Sequence, residues 1–204
     1  MSLFNVELNK TIYTLPDAEV VLYENFFGKI DADHFLEKIM NETKWQQDTI
    51  SLYGRLHLVP RLTAWYGGND KSYTYSGIKM QPNDWTKSLR SIKEKIEKET
   101  NESFTSVLLN HYRTGKDSMG WHRDNEKELG INPVIASVSF GETRPFHLRH
   151  KFRKDISKLS IPLSHGSMLL MKGPTQHFWE HQVPKSAKPL LPRLNLTFRK
   201  IVVA

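Results

Sequence analysis

The 204-residue chain has no cysteine. Disulfides and thiolate metal sites are therefore excluded, and any metal must be held by His, Asp or Glu. Nor is there an apolar run approaching the roughly 20 residues needed to cross a bilayer. Met1–Lys10 lacks the apolar core of a signal peptide. A soluble intracellular protein with no membrane partner is expected, cytoplasmic in a bacterium or nuclear in a eukaryote. No repeat, low-complexity tract or linker divides the sequence, so a single domain over residues 1–204 is expected, large enough to enclose a core. Acidic residues are outnumbered: 29 Lys plus Arg against 22 Asp plus Glu leave 29 − 22 = +7. That balance favours polyanionic partners, although ordinary surface charge accounts for it equally well.

Two helices are expected. One starts near Asp31–Asp33 and runs to about Thr43, with Phe35, Leu36, Ile39 and Met40 in one stripe. The other follows Asp84 as N-cap and places Trp85, Leu89, Ile92 and Ile96 at helical spacing, with a solvated Lys/Glu outer face. The remainder reads as short strands at Val107–Arg113, Val134–Phe140, Arg144–His150, Ser157–Leu163, Met168–Lys172 and Arg193–Val202. Many short strands in succession imply a mainly β jelly roll with helices packed outside.

Two constellations carry chemistry. In Trp121-His122-Arg123-Asp124, residues two apart on an extended segment project to one side, so His122 and Asp124 can share a metal. Either His177 or His181 can supply a third ligand. Two histidines and one carboxylate form the facial triad of non-haem Fe(II) oxygenases, which leaves positions open for a cosubstrate and dioxygen. Alone, His-x-Asp is more readily a solvated surface turn. The second constellation is Arg193–Arg199, which alternates strictly: Leu194, Leu196 and Phe198 share one face, and Arg193, Asn195, Thr197 and Arg199 share the other. The arginine Cα atoms stand roughly 20 Å apart on a strand. Their planar forks suit the two ends of a small dicarboxylate. Asn110 and Tyr112 leave one face of their own strand and can bond the same anion. A half-buried strand with a wet face and a satisfied polar pair would be the ordinary alternatives.

Taken together, Asn110-His111-Tyr112, His122-Arg123-Asp124-Asn125-Glu126, Ala136–Gly141, His181 and Arg193–Arg199 resemble the AlkB family of Fe(II)- and 2-oxoglutarate-dependent dioxygenases, in the branch acting on alkylated DNA. The resemblance runs from about Val59 onward. It implies a double-stranded β-helix, Fe(II) with 2-oxoglutarate and dioxygen as cosubstrates, and oxidative removal of alkyl groups from bases such as 1-methyladenine and 3-methylcytosine in DNA repair. By the same resemblance His122, Asp124 and His181 hold iron and are catalytic. Arg193 holds the distal carboxylate of 2-oxoglutarate with Asn110 and Tyr112, Arg199 sits near the chelating end, and Asn195 lies beside them. A nucleotide-recognition lid is implied at about residues 48–80. There Tyr73, Tyr75 and Ser76 meet an extruded base, Arg61 touches phosphate and Tyr53 wedges into duplex. Relatives usually carry an acidic residue at the position of Asn125; here Glu126 alone is left to attract a cationic lesion. A monomer acting on DNA, possibly RNA, is expected. Rival readings are a dioxygenase of RNA or of a small molecule, and a jelly roll that binds nucleic acid by stacking without catalysis.

Overall fold

Strict alternation in a strand buries one face against a neighbour, and continuous burial requires cover on both. Both patterns occur in the computed structural model, which describes residues 9–52, 54–68, 73–75, 78–80 and 82–202, with residues 51, 52, 55, 73–75 and 78–80 described by their backbone alone. In chain order the elements are β1 (Lys10–Leu15), β2 (Ala18–Tyr23), α1 (Lys29–Glu42), β3 (Thr49–Leu52), β4 (Arg55–Leu58), β5 (Leu62–Gly67), β6 (Tyr73–Tyr75), β7 (Ile78–Met80), α2 (Lys87–Thr100), β8 (Ser106–Tyr112), β9 (Met119–His122), β10 (Ile135–Gly141), β11 (Arg144–His150), β12 (Leu159–Leu163), β13 (Ser167–Lys172), α3 (Thr175–Phe178), β14 (Trp179–Val183) and β15 (Arg193–Arg199).

The larger sheet has the order β1-β2-β13-β10-β15-β8-β5 and the smaller β12-β11-β14-β9, with antiparallel pairing throughout. Side chains of both sheets meet in one apolar cluster, including Trp65, Leu108, Phe146, Leu148, Ile161, Met171, Trp179 and Val183. The opposite face of the larger sheet packs on the helices through Leu194, Leu196, Phe198, Val138, Phe140, Ile39, Leu89, Ile92 and Ile96. This is the expected jelly roll with helices outside. β15 is buried along its whole length because helices cover one face and the inter-sheet interior receives the other. The wet face that alternation alone permits is absent.

Local differences have physical causes. Helix α1 begins at Lys29, a few residues before the expected start, with Gly28 as N-cap and no side-chain cap. Its first turn carries a Lys29–Asp33 ion pair at 2.5 Å. Helix α2 is capped by Thr86, whose hydroxyl accepts from the Leu89 backbone N–H at 3.2 Å, and not by Asp84. Either residue type caps well, but only Thr86 has the right phase. β15 ends at Arg199 rather than Val202. Gly141 closes β10 at φ +85°, and a Cβ there would come within 2.5 Å of the Pro192 carbonyl oxygen. The turn into β11 therefore lies against the residue preceding Arg193. Glu142 reinforces this, its backbone N–H donating to Pro192 O at 3.0 Å and its carboxylate accepting from Leu191 N–H at 3.2 Å.

Candidate active site

Two paired strands and the segment that follows one of them bring the metal constellation together. His122 is the last residue of β9, and β14 pairs with β9 so that His181 stands opposite it. The ligand atoms of His122, Asp124 and His181 all lie within 4.8 Å of one another. Among the described residues no other three His, Asp or Glu side chains assemble in this way. The His122 and His181 rings meet edge to face with centroids 4.2 Å apart, and Phe146 stacks on the other side of His181 at 5.1 Å. Geometry decides between the candidate third ligands: His181 joins the group, whereas His177 sits in the α3 turn, its carbonyl accepting from Arg123 at 3.1 Å.

The donor set suits a divalent metal. His122 Nδ1 lies 2.8 Å from the Gly120 carbonyl oxygen. A carbonyl only accepts, so the proton is on Nδ1 and Nε2 keeps its lone pair, the usual second contact of a ligating imidazole. Burial pushes the His181 imidazole down to about 3, with His122 adding to the effect, and burial lowers His122 as well. Both rings are thus neutral near pH 7, as ligation requires. Burial pushes the Asp124 carboxyl up, but its neighbours, the Arg199 guanidinium foremost, outweigh it and hold it below the ordinary carboxylate range. Arg199 Nη2 donates to Asp124 Oδ1 at 2.6 Å. The other oxygen, Oδ2, stands 3.7 Å from His181 Nε2, on the side of the triad. Asp124 lies beyond the end of β9, so a shared strand face is not what pairs it with His122; these side-chain bonds do that.

The same cavity is lined by Asn110, Tyr112, Arg193, Asn195, Thr197 and Arg199, so the polar face read from alternation in β15 points inward as expected. Arg193 is 1% exposed. Its Nη2 donates to Ser139 Oγ at 2.9 Å, its guanidinium lies over the Tyr112 ring at 5.2 Å, and its Nε and Nη1 have no protein partner. Burial pushes this guanidinium down to about 10. A buried cation with two unspent donors facing a cavity is a site for an anion. Asn195 is instead engaged by the protein, donating to Ser137 Oγ at 2.8 Å and to Val138 O at 3.0 Å.

Arg61 differs from its sequence reading. It is 5% exposed and donates to Asn110 Oδ1 at 2.7 Å and to the Ser118 carbonyl at 3.3 Å. A side chain so committed orients Asn110 and is not set at the surface for a phosphate. Asn125 is exposed and Glu126 half-buried, directly after the Asp124 ligand. Tyr53 and Ser76 lie outside the described residues, as do the side chains of Tyr73 and Tyr75; the backbone of Tyr73–Tyr75 forms β6, paired with β7. Ser137, Phe146, Met119, Met171 and Val183 also line the cavity. None of these was given a role from the sequence.

A facial His-Asp-His group inside a jelly roll, next to an anion pocket built on a buried arginine, defines a non-haem oxygenase centre. The chain belongs to the 2OG-Fe(II) oxygenase superfamily, which matches residues 19–199. It is similar to the alpha-ketoglutarate-dependent dioxygenase alkB homolog 3 of Homo sapiens, 43% identical over 192 residues that cover 90% of this chain and 66% of the relative. It is also similar to the DNA oxidative demethylase ALKBH2 of Homo sapiens, at 38% over 190 residues covering 89% and 73%, and to that of Arabidopsis thaliana, at 33% over 223 residues covering 97% and 71%. The chain thus spans just under two thirds of the length of the human alkB homolog 3. Its backbone superposes on "The structure of OsALKBH1" with a TM-score of 0.60 at 18% identity, covering 93% of this chain and 100% of that one, which shows a shared fold. No described helix is long and apolar enough to cross a membrane.

Proposed function

We propose that this protein is an Fe(II)- and 2-oxoglutarate-dependent dioxygenase that oxidatively removes alkyl groups from N-alkylated bases of DNA, with 1-methyladenine and 3-methylcytosine as its substrates. The observation that carries the reading is the His-Asp-His triad sharing one cavity with Arg193 and its two unpartnered nitrogens. Relatives named as DNA oxidative demethylases support the substrate class.

In this reading His122, Asp124 and His181 hold Fe(II), which when bound with 2-oxoglutarate supplies the activation of dioxygen. Arg193 pairs with the distal carboxylate of 2-oxoglutarate, and Tyr112 and Asn110, the latter fixed by Arg61, complete its surroundings. Arg199 keeps Asp124 ionised and turned so that one oxygen remains for the metal. Phe146, Leu108, Met171 and Val183 exclude water from the cavity, which strengthens each of these charge contacts. A lid at residues 48–80 delivers the base, with Tyr73, Tyr75 and Ser76 around it, Tyr53 as wedge, and Asn125 and Glu126 at the rim, where the carboxylate of Glu126 favours a cationic lesion. Residues 1–204 act as one domain and as a monomer.

The test is turnover of oligonucleotides carrying one 1-methyladenine, offered as single-stranded DNA, duplex DNA and RNA, followed by mass spectrometry. Methyl loss from DNA is the expected result. Succinate formation without repair of any of the three would keep the dioxygenase and reject the substrate. Absence of succinate under all conditions, with metal bound, would instead favour a non-catalytic binding module.

A further inference from the structure

We infer that Gln176 is a positioning residue for the metal ligand Asp124, tying it to the short helix that leads into the strand carrying His181. The inference rests on the triad being the metal site. Strand β9 ends at His122, so no ladder bond fixes the backbone at Asp124, and a buried N–H needs a partner. Asp124 N–H donates to the side-chain Oε1 of Gln176 at 3.0 Å. Gln176 is fully buried, at 0% exposure. Its Nε2 faces Met171 Sδ at 3.5 Å, and a thioether accepts rather than donates. The amide is therefore oriented with its oxygen toward Asp124. Met171 belongs to β13 and itself lines the cavity. A second tie runs in the opposite direction: Arg123 Nη1 donates to the carbonyls of His177 at 3.1 Å and Gln176 at 3.5 Å.

Helix α3 leads directly into β14, which carries His181. Gln176 is thus part of the short run that delivers the third ligand, and its side chain grips the backbone of the second. The spacing of the two ligands is set before any metal arrives, which is the preorganisation a metal site draws from its outer contacts. Arg199 fixes one oxygen of the Asp124 carboxylate; Gln176 fixes the peptide from which that carboxylate hangs. No catalytic contact is assigned to Gln176.

The experiment is a titration of the metal-free full chain with Co(II), followed by its visible d–d absorption, with thermal melting of each metal-free variant as the fold control. Gln176→Met keeps the volume and replaces the amide oxygen with a thioether, a much weaker acceptor. Its Co(II) affinity should fall by about 10- to 100-fold, and the band shape at saturation should change because Asp124 is no longer held in place. Gln176→Glu keeps an oxygen at the same reach and should retain most of the affinity. Wild-type affinity and band shape in Gln176→Met would overturn the inference. So would equal losses in Gln176→Met and Gln176→Glu, which would mark a packing role only. Should Gln176→Met fail to fold, Arg123→Met carries the test, since it removes the second tie at a partly exposed position; unchanged affinity there would count against the clamp. A wild-type chain with no affinity for Co(II) would reject the metal site itself, an outcome distinct from any of these.

Discussion

Replacing Arg193 by Met should stabilise the ligand-free protein and abolish its response to 2-oxoglutarate. Burial pushes this guanidinium well below its ordinary value, to about 10. At one pKa unit per 1.36 kcal/mol, keeping it charged costs the folded state roughly 3 kcal/mol. The sign follows from linkage: the folded pKa is depressed, so this penalty is present at every pH below about 10 and relaxes only as the pH climbs from there toward the ordinary arginine value. Met removes the penalty but also loses the bond to Ser139 and the contact with Tyr112, each worth about 1 kcal/mol. A net gain of about 1 kcal/mol, or roughly 2–4 °C in Tm for a chain of this size, is expected. Binding should move the other way. Removing one partner of a buried ion pair costs about 3–5 kcal/mol, which raises the Kd for 2-oxoglutarate by a factor of about 100 to several thousand. Differential scanning fluorimetry with and without 2-oxoglutarate reads both quantities. A variant that melts well below wild type and still gains the full wild-type increment from 2-oxoglutarate would refute this account of Arg193.

Three further outcomes are expected. Because His181 is held neutral down to about 3 against an ordinary value of 6.5, the unfolded chain takes up a proton first on acidification; the metal-free protein should lose about 1.4 kcal/mol per pH unit between these values, and a flat series of urea midpoints from pH 7 to pH 5 would contradict the burial of a neutral ring. Arg199→Met leaves the buried Asp124 carboxyl without its strongest partner, so its pKa should rise, and Mn(II) affinity measured by EPR should fall more steeply at pH 5.5 than at pH 7.5; parallel losses at both would argue against a charge role. Gly141→Ala forces a side chain into a left-handed turn against Pro192 O and should cost about 1–3 kcal/mol in urea unfolding, together with weaker 2-oxoglutarate binding because Arg193 follows Pro192; unchanged stability would mean the turn has another conformation available.

Much of the site was legible because it is built on strand parity. Arg193, Asn195, Thr197 and Arg199, with Asn110 and Tyr112, share a face by alternation alone, and that face proved to be the cavity wall. The choice between His177 and His181 was not legible from spacing. It depends on the one-turn helix α3, which is too short to leave a periodic signal and turns His177 away from the triad. Resemblance to a known family supplied what spacing did not. Arg61 was placed at phosphate by resemblance alone; its burial was not legible, because cationic side chains are ordinarily exposed, whereas here the β8 amide of Asn110 and the Ser118 carbonyl satisfy it internally. Gln176 had no sequence signal at all, since a glutamine near a histidine is unremarkable until the fold brings it to the backbone of a residue 52 positions away. The cap of α2 slipped from Asp84 to Thr86 because the sequence offers two competent caps one half-turn apart, and the tertiary seating of Leu89, Ile92 and Ile96 selects the phase.

The most direct measurement of the central claim is the stoichiometry of a complete reaction. Protein reconstituted anaerobically with Fe(II) is given 2-oxoglutarate, oxygen and single-stranded DNA bearing 1-methyladenine, and succinate, formaldehyde and restored adenine are counted together. The expected result is restored adenine matched one for one by formaldehyde, with succinate at least equal to both, and no product from His122→Ala or Asp124→Ala. Restored adenine that persists in either variant, or that forms without 2-oxoglutarate, would contradict the account.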